Sequence, residues 1–277
     1  MILAGGGVAL SAIPLRIGGF DPAFLWVAGV LVVVVGAVRG ARREGLDPRD
    51  MYWTAACAIV AGLWAGRAVS VAMSGGDVAP LAWLLPSSGA RSSFGGFAGA
   101  ALACTAYVRA RRGSLLAVTD AAAVPAMLGY AVARLGCLVN GDDFGAPSAL
   151  PWAVRHAAGT LAHADHVARG LVAPYASWSA SVHPWPLYSA VAALAIAALV
   201  QGRRGAGERT ACMMLAYGVA RALLEPLRGD APAVAGPLSA NQLCALALAA
   251  GGAALLHHAR RDAQRKAVVA REPAHAT

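Results

Sequence analysis

Charge is scarce in this sequence. Of its 277 residues, 13% are Asp, Glu, Lys or Arg, against roughly 25% in a typical soluble domain, while 58% are hydrophobic. The 23 basic and 14 acidic side chains make too thin a polar shell for an ordinary cytosolic enzyme. The same apolar content excludes a disordered chain, which needs low hydrophobicity and high charge. No CxxC joins the five cysteines at 57, 104, 137, 212 and 244, so neither a disulfide framework nor a zinc site is indicated. P-loop, dinucleotide and G-x-S-x-G fingerprints are also missing. His163-Ala164-Asp165-His166 has ligand-like spacing but no third partner in view. No cofactor and no metal are therefore expected. The net charge of +9 would suit nucleic acid in a soluble protein, but the basic cluster Arg260–Lys266 follows an apolar run and reads as a juxtamembrane tail. No nucleic-acid partner is expected.

What the sequence has instead is apolar runs of membrane-spanning length, about 20 residues each. They predict an all-α, polytopic helical bundle in a single membrane domain, with spans near 21–39, 52–74, 94–109, 115–137, 186–201, 209–227 and 238–257. Residues 1–16 read as a surface-lying lead-in, with an eighth span as the alternative. No basic stretch precedes the first run, so insertion is expected to start from the first spanning helix. Fifteen of the 23 basic residues fall in alternate connections: Arg39–Arg49, Arg109–Arg112, Arg203–Arg209 and the 258–277 tail. The positive-inside rule then places those segments and the C-terminus in the cytoplasm, with the N-terminus outside. Segment 138–185 becomes an extracytoplasmic cap. The run Phe94–Gly99 has small-residue spacing suited to close helix packing.

Three arginines interrupt the spans: Arg67, Arg134 and Arg221. An arginine at membrane depth costs at least about 2.5–3.5 kcal/mol and marks a functional site unless it snorkels to the interface. Tyr217, Arg221, Glu225 and Arg228 follow at spacings of 4, 4 and 3, which puts them on one helical face. Few acidic residues lie near; Glu225 and Asp142 are closest in sequence. Unpaired guanidiniums at that depth suggest an anionic lipid headgroup as partner. The Asn140–Pro147 segment reads either as a tight turn at a helix exit or as a backbone that approaches a phosphate.

The chain resembles the prolipoprotein diacylglyceryl transferase family through five ordered motifs. Arg134-Leu135-Gly136-Cys137-Leu138-Val139-Asn140-Gly141-Asp142-Asp143-Phe144-Gly145 is similar to the signature G-R-x-G-[NC]-F-x-N-G-E-x-[WY]-G, and Leu150-Pro151-Trp152-Ala153-Val154 follows it. His183-Pro184-Trp185-Pro186-Leu187-Tyr188 resembles H-P-[ST]-Q-L-Y-E. Tyr217 through Arg228 resembles Y-G-x-x-R-x-x-x-E-x-x-R, and Leu238-Ser239-Ala240-Asn241-Gln242 resembles L-S-x-x-Q. Phe94-Gly95-Gly96 stands where the family usually has His-Gly-Gly, Ala133 where it has glycine, and Cys137 where it usually has asparagine.

The resemblance implies an enzyme of the bacterial cytoplasmic membrane. It would move a diacylglyceryl group from phosphatidylglycerol to the lipobox cysteine of a prolipoprotein, with glycerol phosphate leaving and a thioether forming. Its partners would be that lipid, the lipobox and the surrounding membrane lipid. Arg134 and Arg221 would bind the phosphate and stabilise the leaving group, and His183 or Asp142 would serve as base. Asn140, Gly141, Gly145, Tyr217, Glu225 and Arg228 complete the expected substrate-binding set. Phenylalanine at 94 cannot move a proton, which motivates an alternative: a non-catalytic relative that binds lipid or lipoprotein precursors. A small-solute transporter is the third reading, disfavoured because no internal repeat is visible.

Overall fold

The computed structural model describes residues 8–9, 24–73, 93–203, 205–229, 233–235 and 238–269. The lead-in apart from Val8–Ala9, the 74–92 connection and the last residues of the tail lie outside the described residues, as does the side chain of Phe94. The apolar runs fold as helices: α1 (Phe24–Arg43), α2 (Pro48–Met73), α3 (Ser93–Ala110), α4 (Leu115–Asn140), α6 (Trp185–Gln201), α7 (Glu208–Leu224) and α8 (Ala240–Val269). One short helix, α5 (Leu161–Ala168), lies in the segment between α4 and α6.

Local chemistry sets the helix ends. Arg42 and Arg43 close α1 at the end where the helix dipole favours cations. Pro48 opens α2 with its φ already set, and the Asp47 carboxylate accepts from the Arg49 N–H at 2.8 Å. Thr160 caps α5 by accepting from the His163 N–H at 3.3 Å. A reciprocal capping box starts α8. The Gln242 N–H donates to Ser239 Oγ and the Ser239 N–H donates to Gln242 Oε1, both at 3.1 Å. The L-S-x-x-Q motif therefore has a physical meaning: it fixes where α8 begins.

Among the described residues, four helices are long and apolar enough to cross a membrane: α1, Pro48–Ala72 of α2, α4, and Ala240–Arg265 of α8. Helix α6 is a shorter apolar helix. Large apolar side chains point outward from several helices; Leu102 is 72% exposed and Leu223 71%. Apolar surface on that scale is at home only in another apolar medium. The chain is an all-α, multi-pass membrane protein.

Contacts divide the chain into two units. The smaller covers 34–122. There α3 lies against α2 by means of small residues: a Cβ on Gly99 would sit 2.4 Å from Ala65 Cβ and 2.7 Å from Ala61 O. Ala37, Ala41, Met51 and Ala121 form its buried cluster. Arg67, on α2, is buried.

The larger unit covers 1–33 and 123–277. Its buried cluster joins α4, α6 and α7 through Met127, Ala131, Ala193, Ile196, Val200 and Cys212. Helix α8 lies close on α7, where a Cβ on Gly218 would meet Ala245 O at 2.5 Å. The 144–183 segment is held by short ladders rather than long strands. Val8–Ala9 (β1) pairs in parallel with Val154–Arg155 (β2), and Pro147 and Val154 both bridge Val182. Leu138, Phe144, Val154, Ala162 and Val182 fill its core. Ala233–Ala235 (β3) pairs with Leu238–Ser239 (β4) before α8.

Candidate functional site

The site lies wholly in the larger unit and is built from four chain segments. The first is the end of α4. Tyr130 and Arg134 lie one helical turn apart, and the Arg134 guanidinium carbon sits 4.6 Å from the Tyr130 ring centroid. After Asn140 the chain turns sharply. Gly141 has φ +72°, and a Cβ there would meet Thr160 Cβ at 2.8 Å and His156 Nδ1 at 3.1 Å, so only glycine fits. Asp143 is also left-handed, at φ +49°. Aspartate tolerates that conformation better than most residues.

This turn decides which carboxylate reaches the arginines. Asp143 pairs with Arg134 through Oδ2 and with Arg228 through Oδ1, the latter at 2.5 Å, while Asp142, nearer to Arg134 in sequence, pairs with neither among the described contacts. Burial opposes ionisation of Asp143, but the Arg134 and Arg228 charges outweigh it and hold its carboxyl below the usual value. Asp142 goes the other way. Burial, then the charge on Asp143, pushes its carboxyl up. Its Oδ2 accepts from Asn140 Nδ2 at 3.4 Å, while its buried Oδ1 has no partner.

The second segment is the end of α7. Arg221 pairs with Glu225 one turn on, with the two side chains 10% and 2% exposed. Arg228 does not continue that helical face. The chain passes through a 3-10 turn at Glu225–Leu227, and Arg228 is extended at φ −83°, ψ 136°. Arg228 joins the cluster because residues 227–229 are stitched to the turn after α4. The Ala146 N–H donates to Leu227 O at 2.8 Å and the Gly229 N–H to Phe144 O at 3.0 Å. Gly229 makes this approach possible, since a Cβ there would lie 2.5 Å from Gly145 O, while a Cβ on Gly145 would lie 2.3 Å from His183 O. The role of Gly145 in the fold is backbone contact with the 182–183 segment.

The third segment is the start of α8. Ser239 Oγ and Asn241 Nδ2 both donate to Glu225 Oε1 at 2.9 Å, while Oε2 receives Arg221. The capping box thus also presents the two donors that complete Glu225. The fourth segment is the start of α6. Trp185 is fully buried, and its indole N–H donates to Leu224 O at 2.8 Å. The guanidinium carbons of Arg221, Arg228 and Arg134 lie 4.7, 5.3 and 5.4 Å from its ring centroid. Tyr217 donates to the Tyr130 hydroxyl at 3.4 Å with the rings edge to face.

The arginines are therefore not unpaired, as the sequence suggested, but shared unequally. Among the described residues, Asp143 pairs with Arg134 and Arg228, and Glu225 with Arg221, so three guanidiniums meet at two carboxylates. A largely buried cluster of three guanidiniums is a place for an anion and stabilises negative charge that develops nearby. His183 faces a different group. Its Nδ1 is 3.4 Å from the Tyr188 hydroxyl, which accepts from Trp152 Nε1 at 2.7 Å. His163 and His166 are spent on the fold: His163 Nε2 bonds Ala176 O at 2.7 Å, and His166 Nδ1 accepts from the Ala180 N–H at 3.1 Å.

Sequence reading missed Asp143, Tyr130 and Trp185 as members of this cluster. Tyr130 was findable, four residues before Arg134 on a helix. Asp143 and Trp185 were not, since a left-handed turn and a tertiary contact place them.

Comparison with known proteins bears on what the cluster serves. A family model described as prolipoprotein diacylglyceryl transferase matches residues 8–258. The phosphatidylglycerol–prolipoprotein diacylglyceryl transferase of Nitrosomonas europaea is 32% identical over 191 residues, covering 66% of this chain and 62% of the relative. That of Frankia alni is 31% identical over 237 residues, covering 81% and 58%. That of Bordetella avium is 26% identical over 272 residues, covering 94% and 96%. The chain thus spans about three fifths of the first two relatives and nearly all of the third. Since the matched stretch contains every residue of the arginine cluster, the chain belongs to the prolipoprotein diacylglyceryl transferase family.

Proposed function

We propose that this chain transfers the diacylglyceryl group of phosphatidylglycerol to the lipobox cysteine thiol of prolipoproteins. The observation that carries the reading is the gathering of the Arg134, Arg221 and Arg228 guanidiniums around one ring in a chain of this family. A lipid phosphate is the anion of matching charge at membrane depth. In the reaction the thiol sulfur forms a bond to the terminal glyceryl carbon, and the bond from that carbon to the phosphate oxygen breaks. Glycerol phosphate leaves with the electron pair. Arg134 and Arg221 neutralise the charge gathering on the phosphate, and Arg228, tied to the same cluster through Asp143, adds to the field. Tyr217, Asn140, Gly141, Gly145 and Glu225 complete the binding side, Glu225 by holding Arg221.

The nucleophile belongs to the substrate, and its proton needs an acceptor near neutral pH. Asp142 is one candidate, since burial raises its proton affinity. His183 is the other. Asp142→Asn or His183→Gln, whichever removes the base, should slow transfer by about 10²–10⁴-fold, with partial recovery as pH rises and the thiol ionises by itself. If neither slows it, field stabilisation by the arginines is the whole effect.

For topology we propose seven spans in the bacterial cytoplasmic membrane, N-terminus outside, C-terminus in the cytoplasm, and the 138–185 cap outside. Reporter fusions near Arg43, Arg111, Arg204 and Lys266 should read cytoplasmic, and those near Asp77 and Tyr175 external. An inversion between neighbouring loops overturns that arrangement.

The second reading, a lipid-binding relative without transfer, is favoured by Phe94 in place of the family's usual histidine. Purified full-length protein, phosphatidylglycerol and a lipobox peptide decide between the two. The enzyme yields thioether and glycerol phosphate in equal amounts. Binding of the lipid with no thioether leaves the non-catalytic relative.

A further inference from the structure

Three guanidiniums gathered at one place repel one another. Carboxylates can hold them together, but each one cancels positive charge and competes with an incoming anion. Residue 185 offers another solution. Arg134 comes from α4, Arg221 from α7 and Arg228 from beyond the 3-10 turn, and all three guanidinium carbons lie within 5.4 Å of one indole centroid. That is inside the range of about 6 Å over which an aromatic ring attracts a cation. The ring carries no net charge, so it gathers the arginines and leaves their charge available.

The indole is also held in place. Pro184 and Pro186 flank it, and all three side chains are among the most fully buried in the protein. Its N–H donates to the carbonyl of Leu224, the last residue of α7 and three past Arg221. This bond ties the ring to the helix that carries Arg221.

We propose that Trp185 is a positioning residue of the anion site: its indole holds the Arg134, Arg221 and Arg228 guanidiniums together around a lipid phosphate without cancelling their charge. The proposal deepens the functional reading above and rests on it for the identity of the anion. Tryptophan is the strongest aromatic partner for a cation, phenylalanine a weaker one, and leucine none.

The test uses the full-length chain in phosphatidylcholine nanodiscs, titrated with phosphatidylglycerol, beside kinetics on a lipobox peptide. Trp185→Leu should weaken phosphatidylglycerol binding about tenfold, and Trp185→Phe by no more than about threefold. The change should fall on KM for the anionic lipid more than on kcat, and retention of phosphatidylcholine should not change. Trp185→Met, which fills the space without a π face, replaces leucine if that variant does not fold. The proposal is overturned if the leucine or methionine variant binds phosphatidylglycerol as the unmutated chain does. It is also overturned if phenylalanine is as damaging as leucine, or if the unmutated chain shows no preference for the anionic lipid. A chain that prefers phosphatidylglycerol but transfers nothing refutes the enzyme reading alone, and the affinity ratios still decide the role of Trp185.

Discussion

Two arginine–carboxylate pairs, one in each unit, show what burial does to the same chemistry. In the smaller unit the Arg111 Nε donates to Asp50 Oδ1 at 2.9 Å, with Tyr107 donating to the same oxygen at 3.2 Å. Those side chains are 57% and 35% exposed. In the larger unit Arg221 and Glu225 are 10% and 2% exposed, and the remaining carboxylate oxygen takes two further donors. The first pair can be hydrated or screened whenever it opens. The second has no such alternative, so every member depends on the others. The smaller unit is held by close contact of small residues, and the larger adds to such contact a polar network that must stay complete.

The sharpest way to break this contrast is to remove one partner from each pair. Glu225→Ala strands Arg221 and the Ser239 and Asn241 donors, and it should lower stability by about 3–5 kcal/mol in denaturant titrations of the detergent-solubilised protein. Asp143→Ala, which removes the carboxylate shared by Arg134 and Arg228, belongs in the same range. Asp50→Asn should leave the transition midpoint within error of the unmutated chain. Equal losses from Glu225→Ala and Asp50→Asn would mean that burial is not what separates the pairs.

Acid should act next most strongly, and on the larger unit. Burial, then the charge of His166, pulls His156 down to about 4 from its ordinary 6.5. Burial also lowers His166. Between those values the unfolded chain binds more protons than the folded one, so stability rises with pH. The stabilisation is complete above pH 6.5 and is lost as pH falls toward 4, on the order of 3 kcal/mol for His156 alone. His156→Phe should flatten that part of the pH profile. An unchanged slope would show that His156 is not the group responsible.

Packing changes should come last in size. Gly99→Val puts methyl groups where Ala65 Cβ and Ala61 O already lie within 2.7 Å of a built Cβ, and overpacking of that kind costs about 1–3 kcal/mol. A neutral Gly99→Val would show that α2 and α3 can move apart at little expense.

Much of this architecture was legible from local rules. Apolar runs gave the helices because a backbone in lipid must satisfy its own hydrogen bonds. Tyr217, Arg221 and Glu225 read correctly as one helical face because spacing on a helix is geometry. The same rule failed for Arg228, since the helix gives way to a 3-10 turn at Glu225. Asp142 is the nearer of the two aspartates to Arg134 in sequence, but proximity alone does not choose between them. Left-handed φ at Gly141 and Asp143 makes the choice instead. Trp185 drew no attention because its neighbours come from three distant segments, and no local pattern encodes such a meeting. Ser239-Ala240-Asn241-Gln242 carried two meanings, a helix start and the support of Glu225, of which only the family likeness was visible in the sequence.

The central claim is that the arginine cluster binds the lipid phosphate as it leaves. It is tested most directly by transfer from phosphatidylglycerol to a lipobox peptide, measured for the unmutated chain beside Arg221→Ala and Arg221→Lys. Lysine keeps the charge but not the planar fork that spans Glu225 and an anion together. The account predicts transfer by the unmutated chain and a loss of at least about 100-fold in both variants, with helix content and insertion intact. Near-normal transfer by Arg221→Ala, in a folded protein, would contradict it.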